Sequence, residues 1–417
     1  MKKLLKILGP GLLYAGAAVG VSHLVQSTRA GAMFNFDLIW VLIIANLLKY
    51  PFFEFGPRYA VATGSNLIDG YKKVGTWAVL LFAIITVASM FILQAAVTVV
   101  TVGLIAYVFN LTISIITLSI IVLLLALLIL VIGKYSLLDK VIKFIIVLLA
   151  ISTIVAVFAA LGIQKEITPD TIQHFSWTRS ADIFFLIAFV GWMPAPIDVS
   201  VWSSLWNVAK VEELGYTPSI KDTLTEFRIG YIGTAFLAAG FLAMGALVMY
   251  GTGEELSSSG IKFSEQLINI YTTSLGSWAY WIVSIAATTT MISTTITVMD
   301  AYPRVLSPIF KNLFPDSWKN IKNKQTLTWL WFVVLIIGTS SIIAFAAKSM
   351  GAMVSLATTI SFLTAPILAW LNYKVVTDKH MPIEAVPGLF LRILSWIGIS
   401  FFVVFSFVYL YLRYFML

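Results

Sequence analysis

The chain has 417 residues, no cysteine and only three histidines. Without cysteine it can form neither disulfides nor thiolate metal sites, and it has no thiol nucleophile. Charged residues make up 11% of the chain, against about 25% in a typical soluble domain, which is too few to cover a soluble surface. ATP-binding loops, HExxH motifs and hydrolase triads are also absent from the sequence, so we predict no enzyme and no cofactor.

Apolar residues make up 60% of the chain, enough for about a dozen membrane-spanning helices of about 20 residues each. Eleven long apolar segments without strict alternation indicate transmembrane helices and not barrel strands. We therefore predict an all-α polytopic membrane protein with one transmembrane domain over residues 1–417. Its basic and apolar start resembles a signal peptide but continues into apolar sequence, and we interpret it as a retained first span. The segments lie at roughly 9–29, 36–58, 76–107, 112–133, 138–162, 181–207, 226–251, 276–300, 326–347, 350–372 and 386–412.

The distribution of Lys and Arg sets the orientation of these spans, because cytoplasmic loops carry an excess of both. With the N-terminus inside, twenty of the 27 Lys and Arg residues fall on the cytoplasmic side and six on the outer side. This predicts a cytoplasmic N-terminus and an outer C-terminus in a bacterial-type inner membrane. The net charge of +8 then reflects topology and anionic lipid, and nucleic acid is not an expected partner.

Spans 1 and 6 contain residues that interrupt a helix. Span 1 is rich in glycine up to Gly20, and Pro194 and Pro196 stand two residues apart in span 6. Each proline removes a backbone donor and clashes with the preceding turn. Interrupted helices in matching places of two halves indicate an inverted-repeat transporter, so we expect helices 1 and 6 to be unwound at mid-membrane. The repeats would cover about 9–162 and 181–372, followed by an extra helix at about 386–412.

Several motifs resemble those of the NRAMP family of transporters. They are Gly9-Pro10-Gly11 in span 1, Trp40, Asn46, Arg58, Thr63 and Gly64 around span 2, Met193-Pro194 in span 6 and Met299-Asp300 after span 8. The resemblance implies a leucine-transporter-type fold with a 5+5 inverted repeat and one additional helix. It also implies secondary-active transport and a site between the breaks of helices 1 and 6. The candidate substrate-binding residues are then Gly20, Val21, Ser22, His23, Met193, Ala195 and Asp198.

The sequence departs from this resemblance at the metal ligands. Metal-transporting members carry Asp-Pro-Gly-Asn in helix 1, and its Asp and Asn bind the metal. The same place here reads Gly20-Val21-Ser22-His23, and the Met-Pro-His of helix 6 is Met193-Pro194-Ala195. A divalent cation needs several oxygen or nitrogen ligands, usually with a carboxylate. These residues therefore predict no metal site with confidence.

We expect the substrate to be a small anion such as bicarbonate. The lost carboxylate would have repelled an anion, and half-helix N-termini point positive dipole ends at the site. Ser22 and His23 can donate hydrogen bonds to an oxyanion, and divergent NRAMP-like proteins without the metal ligands resemble bicarbonate carriers. Against this interpretation stands Asp198, whose negative charge follows the break in span 6.

Two alternative substrates stay open. Asp198 would supply a carboxylate for a rebuilt site that carries a divalent cation such as Mg²⁺, Mn²⁺ or Fe²⁺ with protons. Other transporters of this fold carry small organic solutes, so a solute of that kind is the second alternative. In either case we expect a monomer in the lipid bilayer.

The expected coupling ion is a proton or sodium. Hydroxyl groups in span 8 are the candidates for a sodium site, although such residues also pack helices closely in membranes. Lys49 and Glu54 are coupling candidates because ionisable groups inside a span are functional by default. Glu54 lies near the inner end of span 2, where pairing with Arg58 would also explain the presence of a carboxylate. The hydroxyl candidates are Thr288, Thr289, Ser293 and Thr294.

Overall fold

The structure, a computed structural model, describes residues 10–132, 135–346 and 349–415, with side chains for 14–132, 147–346 and 349–415. Within these ranges it contains sixteen α-helices, two π-helical segments and no strand, which confirms the all-α prediction. The α-helices are α1 Pro10–Ala18, α2 Thr28–Phe34, α3 Ile39–Thr63, α4 Leu67–Val74, α5 Thr76–Val108, α6 Ile115–Ile132, α7 Tyr135–Ala160, α8 Ser180–Trp192, α9 Val199–Leu214, α10 Ile220–Met244, α11 Gly260–Leu275, α12 Tyr280–Leu313, α13 Pro315–Asn320, α14 Lys324–Phe345, α15 Met350–Val376 and α16 Leu389–Phe415. The π-helical segments are Ser22–Ser27 and Gly245–Met249.

The helices follow the predicted apolar segments. Within the described parts of the chain, eight helices are long and apolar enough to cross a membrane. Two shorter apolar stretches, Val147–Ala160 and Ser180–Trp192, belong to predicted spans 5 and 6. Span 1 is divided between α1, a π-helical segment and α2, so the total of eleven spans stays a prediction.

The structure adds three helices in segments that we expected to be loops. These are α4, between spans 2 and 3, α11, between spans 7 and 8, and the short α13, between spans 8 and 9. Helix α4 begins where the side chain of Asn66 accepts hydrogen bonds from the backbone N–H groups of Ile68 and Asp69. Helix α12 also continues to Leu313, well past the predicted end at residue 300. Hydropathy missed these stretches because it detects apolar runs, whereas polar segments become helical through caps and packing.

The two halves of span 6 pack on different neighbours. Helix α8 lies against α15, whereas α9 lies against α3. The contact between α9 and α3 is close at Gly56, where a Cβ would lie 2.2 Å from the backbone oxygen of Ser200. A larger residue would force the two helices apart there, so glycine fixes the position of α9 relative to span 2.

Candidate functional site

The helical path of span 6 is interrupted in its middle. Helix α8 ends at Trp192 and α9 begins at Val199, and the six residues between them are not helical. The peptide bond between Met193 and Pro194 is cis. Met193 is fully buried and Ala195 is 1% exposed, so the unwound backbone lies inside the protein. This confirms the unwinding predicted for helix 6.

Span 1 is also interrupted. Helix α1 ends at Ala18, Val19 and Gly20 leave the helical path, and the chain resumes in the π-helical segment. The hydroxyl oxygen of Thr294 in α12 lies 3.2 Å from the carbonyl oxygen of Val19 and 3.0 Å from that of Thr290. A Cβ on Gly20 would lie 2.9 Å from both Cγ2 and Oγ1 of Thr294. The unwinding of helix 1 is thus confirmed, and only glycine fits against Thr294.

A cavity of about 30 Å³ lies between the two breaks. One water requires about 10–15 Å³, so the cavity has room for a water or a small ion. Its walls are mainly apolar, with the hydroxyls of Ser22 and Thr294 as the polar side-chain groups. The lining residues are Ala17, Ala18, Val21, Ser22, Leu93, Val97, Trp192, Ala195, Pro196, Val199, Trp202, Thr294 and Val298. The structure therefore brings together Val21 and Ser22 from helix 1 with Ala195 from helix 6.

His23 faces span 7 and not this cavity. Its Nε2 lies 3.0 Å from the carbonyl oxygen of Thr234, which can only accept, so Nε2 carries a proton. Its Nδ1 lies 2.7 Å from the hydroxyl oxygen of Ser22, which is also 2.8 Å from the carbonyl oxygen of Ala18. Both ring nitrogens thus have protein partners in this conformation. The single proton of the Ser22 hydroxyl is thus already directed to the carbonyl oxygen of Ala18 or to Nδ1 of His23, and a substrate in the cavity would have to displace that partner.

Lys49 of α3 reaches the break in span 6 from the side. The side chain is fully buried. Its ammonium donates hydrogen bonds to the carbonyl oxygens of Val190 at 2.7 Å, Gly191 at 2.8 Å and Ala195 at 3.0 Å. The last carbonyls of a helix have no partners within it, and they carry the negative end of its dipole. Lys49 therefore caps α8 and holds the unwound segment with a single positive charge.

Asp198 stands at the other side of the same break. It is the residue directly before α9, where a helix N-terminus stabilises a carboxylate. It is 9% exposed, and its Oδ1 has no hydrogen-bond partner in the part of the chain that is described. Asp198 interacts electrostatically with Lys49 and with the buried Tyr71 and Tyr302. It lies outside the cavity lining, as does Met193.

The predicted coupling residues fall into two places. Of the four hydroxyl candidates in α12, Thr294 is the one that contacts helix 1. Thr288 is buried with an unpaired hydroxyl, Ser293 is buried, and Thr289 is partly exposed. Glu54 lies elsewhere, in a cluster at the predicted cytoplasmic end of α3, and does not contact Lys49.

The Glu54 cluster joins three parts of the fold. The buried carboxylate accepts hydrogen bonds from Tyr50 and Arg58 of α3. The guanidinium of Arg228 in α10 lies 3.3 Å from the same carboxylate and 2.9 Å from the Tyr50 hydroxyl. Arg58 also donates to the carbonyl oxygen of Ala385, after α15, at 3.1 Å. The predicted Glu54–Arg58 pair is present, whereas sequence spacing gave no sign of Arg228.

The donor set of the site is poor for a metal ion. Among the described residues, no group of three or more His, Asp and Glu side chains could hold one. Helix 1 contributes a hydroxyl to the cavity and helix 6 contributes backbone. Backbone carbonyls of an unwound segment can coordinate cations in such transporters, and the one of Ala195 accepts a hydrogen bond from Lys49 instead.

Comparison with known proteins gives the family. Residues 11–412 match the family described as natural resistance-associated macrophage protein-like (Nramp). An uncharacterized protein of Pasteurella multocida is 36% identical over 378 residues, which cover 88% of this chain and 84% of that protein. The divalent metal cation transporter MntH of Clostridium acetobutylicum is 31% identical over 74 residues, covering 18% and 17% of the two chains.

Two solved structures show the same fold. A manganese transporter of Eremococcus coleocola, solved as a mutant, aligns with a TM-score of 0.66 at 12% identity, covering 98% of this chain and 86% of that one. Mhp1, a nucleobase-cation-symport-1 family transporter, aligns with a TM-score of 0.59 at 11% identity, covering 99% and 94%. The family match extends over nearly the whole sequence and the architecture agrees with it. The chain therefore belongs to the Nramp family of multi-pass membrane transporters, with a leucine-transporter-type fold.

Proposed function

We propose that this protein is a secondary-active transporter that carries a small anion such as bicarbonate by alternating access, coupled to protons or to sodium. The observation that carries the proposal is the buried ammonium of Lys49 at the break of helix 6. The repeats at 9–162 and 181–372 would move around the site formed by the two breaks. The cytoplasmic N-terminus, the outer C-terminus and the bacterial-type inner membrane are part of the same proposal.

The hydrogen bonds of Lys49 support a positive charge at this place. An ammonium has three N–H donors, and three carbonyl oxygens surround it at 2.7–3.0 Å. A neutral amine has two N–H donors and could pair with only two of these three oxygens. One of the three acceptors is Ala195, whose residue lines the cavity, so the charge lies directly behind the cavity wall.

The positive charge of Lys49 favours the binding of an anion over that of a divalent cation. Two unit charges 4 Å apart interact by about 4 kcal/mol at an effective dielectric constant of 20, and the figure doubles for a divalent ion. Asp198, which like Lys49 lies outside the cavity lining, offsets part of the repulsion of a cation. An anion in the cavity would be attracted by Lys49 and would accept a hydrogen bond from Ser22 once that hydroxyl turns away from the carbonyl oxygen of Ala18. Gly20, where the family motif has a carboxylate, adds no opposing charge.

The contact between α12 and helix 1 supports a coupling role for span 8. The hydroxyl of Thr294 contacts the carbonyl oxygen of Val19 at the break, and nearby Thr288 and Thr290 have buried hydroxyls without partners in the described part of the chain. Hydroxyl and carbonyl oxygens of this kind suit a singly charged hard cation. Sodium at this place would separate α12 from Val19 when it binds and so link ion binding to the break in helix 1.

A proton-coupled divalent metal carrier is the second candidate, because Asp198 offers a buried carboxylate oxygen without a partner. Transporters named for divalent metal cations and manganese are among the relatives and structural neighbours. The fully buried thioether of Met193 would be a further ligand in that case. An organic solute is less well supported, since the cavity of about 30 Å³ is far below the ~300–1,000 Å³ of drug-sized sites.

Uptake by purified protein in liposomes tests the two candidates directly. We expect saturable uptake of ¹⁴C-bicarbonate at pH 8, with sodium and proton gradients imposed separately, and no saturable uptake of ⁵⁴Mn²⁺. The matched variants are Lys49→Met, which should abolish bicarbonate uptake, and Glu213→Gln on an exposed face, which should leave it unchanged. Saturable manganese uptake that disappears in Asp198→Ala would refute the anion proposal and establish the metal carrier.

A further inference from the structure

One face of helix 1 connects the cavity with a pocket on the predicted outer side. Ser22, Gln26, Arg29 and Met33 are spaced by four, three and four residues, which places them on one helical face. Ser22 lines the small cavity, whereas Arg29 and Met33 line a pocket of about 680 Å³. Arg29 lies seven residues beyond Ser22, which is less than two helical turns. This face thus runs from the pocket to the site.

Arg29 is the cation of this pocket that lacks an anionic partner in the described part of the chain. Its guanidinium lies 5.7 Å from the ring centre of Phe185 in α8 and makes no hydrogen bond or ion pair there. The other two basic side chains of the pocket have acidic partners. Arg179 lies 2.7 Å from Asp182, and His174 lies 3.2 Å from Asp37. Arg29 therefore keeps all five of its N–H donors available.

Three carboxylates also line the pocket. Asp170, Glu254 and Glu255 are exposed, and Glu254 accepts a hydrogen bond from Gln266 at 2.8 Å. Exposed charges are screened by solvent and salt, whereas Arg29 is partly buried between α2 and α8. An ion that moves from the exposed carboxylates towards the breaks would thus reach the partly buried positive charge of Arg29.

Gln26 stands between Arg29 and Ser22 on the same face. It is 1% exposed, and its Oε1 has no hydrogen-bond partner among the described residues. Its Nε2 lies 3.5 Å from the hydroxyl oxygen of Thr358, at the limit of a hydrogen bond. A side chain held so weakly can turn its N–H₂ group towards a passing anion at little cost.

We infer that Arg29 forms an outer capture site for a small oxyanion, which then passes along Gln26 to Ser22. The planar guanidinium donates two parallel hydrogen bonds to an oxyanion such as bicarbonate. The class of ligand rests on the proposed function, whereas the site itself rests on the unpaired guanidinium and the pocket. Its position between α2 and α8 also makes it sensitive to any movement of the outer halves of helices 1 and 6.

The absence of native cysteine allows a test in which charge is removed and restored. Arg29→Cys should raise the KM for bicarbonate about tenfold, since a hydrogen bond to a charged group is lost, with kcat within about twofold. Modification of the new thiol with aminoethyl methanethiosulfonate should restore the KM, and the sulfonatoethyl reagent should not. Thr112→Cys, on the exposed segment before α6 and outside the pocket, is the control whose KM neither reagent should change. Equal effects of the two reagents at position 29, or an unchanged KM, would overturn the capture site.

Two further measurements keep the test independent of folding and of transport. If Arg29→Cys does not yield monodisperse protein, Arg29→Gln should raise the KM and Arg29→Lys should keep it within about threefold, since Lys retains the charge. In detergent, bicarbonate should slow the reaction of Met33→Cys with the sulfonatoethyl reagent, and this slowing should vanish in the double variant with Arg29→Gln. If bicarbonate slows this reaction but is not transported, the capture site is supported and the proposed function is refuted. Bicarbonate transport without any slowing would refute the capture site alone.

Discussion

The ammonium of Lys49 lies 2.7 Å from the carbonyl oxygen of Val190, 141 residues further along the chain. Together with Asp198 it gives each end of the break in helix 6 a charge of the favourable sign. The positive group faces the C-terminal end of α8, and the negative group precedes the N-terminal end of α9. Both dipole ends are thus compensated within the protein, so a substrate ion need not supply either charge.

Lys49→Met should abolish bicarbonate uptake and also lower stability. The variant leaves three carbonyl oxygens and the carboxylate of Asp198 without the ammonium. Removing one member of a buried charge pair costs about 3–5 kcal/mol, so we expect a clearly lower Tm in detergent. Thermal unfolding followed by fluorescence, together with bicarbonate uptake in liposomes, measures both effects.

The double variant Lys49→Met with Asp198→Asn separates charge from packing. Removing both charges should recover part of the lost stability, since replacing a buried pair with neutral groups is often nearly neutral. Bicarbonate uptake should stay absent because the positive charge is still missing. A Tm of the double variant below that of either single variant would show that the two side chains do not act as a pair.

Gly20→Ala should impair transport through a contact with Thr294. The added Cβ would lie 2.9 Å from Cγ2 and Oγ1 of that threonine, and overpacking of this kind costs about 1–3 kcal/mol. Thr294→Ser removes Cγ2 and keeps the hydroxyl, so it should partly rescue uptake by Gly20→Ala. Uptake rates of the two single variants and the double variant provide the test. An undiminished rate in Gly20→Ala alone would show that the break in helix 1 has more room than the structure indicates.

His23→Ala should lower stability and weaken uptake, because His23 links helix 1 to span 7. The variant leaves the carbonyl oxygen of Thr234 and the hydroxyl of Ser22 without their imidazole partner. Each lost hydrogen bond contributes about 0.5–1.5 kcal/mol. Thermal unfolding and the KM for bicarbonate are the measurements. His380→Ala is the control, since His380 lies in an exposed loop beside Asp378 and should change neither quantity.

The breaks in helices 1 and 6 could be predicted because glycine and proline act locally. Pro194 and Pro196 cannot continue a helix whatever surrounds them, and the structure interrupts span 6 there. The partners of Lys49 could not be predicted in this way. Its position inside an apolar span marked it as unusual, but its acceptors are backbone carbonyls, which leave no trace in the side-chain sequence.

His23 shows a second limit of prediction from sequence, namely the direction in which a side chain points. Its identity suggested a donor to the substrate, but both its nitrogens have partners within the protein. The partner in span 7 is the carbonyl of Thr234, and any residue at that position except a helix breaker would present the same group. Side-chain chemistry could therefore identify the candidate, whereas helix packing decides the direction in which it points.

Glu54→Gln should loosen the predicted cytoplasmic side of the bundle. The buried carboxylate of Glu54 holds Arg58 of α3 and Arg228 of α10, and an amide can neutralise neither. Arg228 is about half exposed, so water screens part of the loss, and we expect a destabilisation of about 1–3 kcal/mol. Thermal unfolding measures the effect, with Glu213→Gln as the control. The pair of Glu213 with Lys210 is exposed and contributes less than about 1 kcal/mol. Equal Tm values for the two variants would show that the Glu54 cluster does not hold α3 and α10 together.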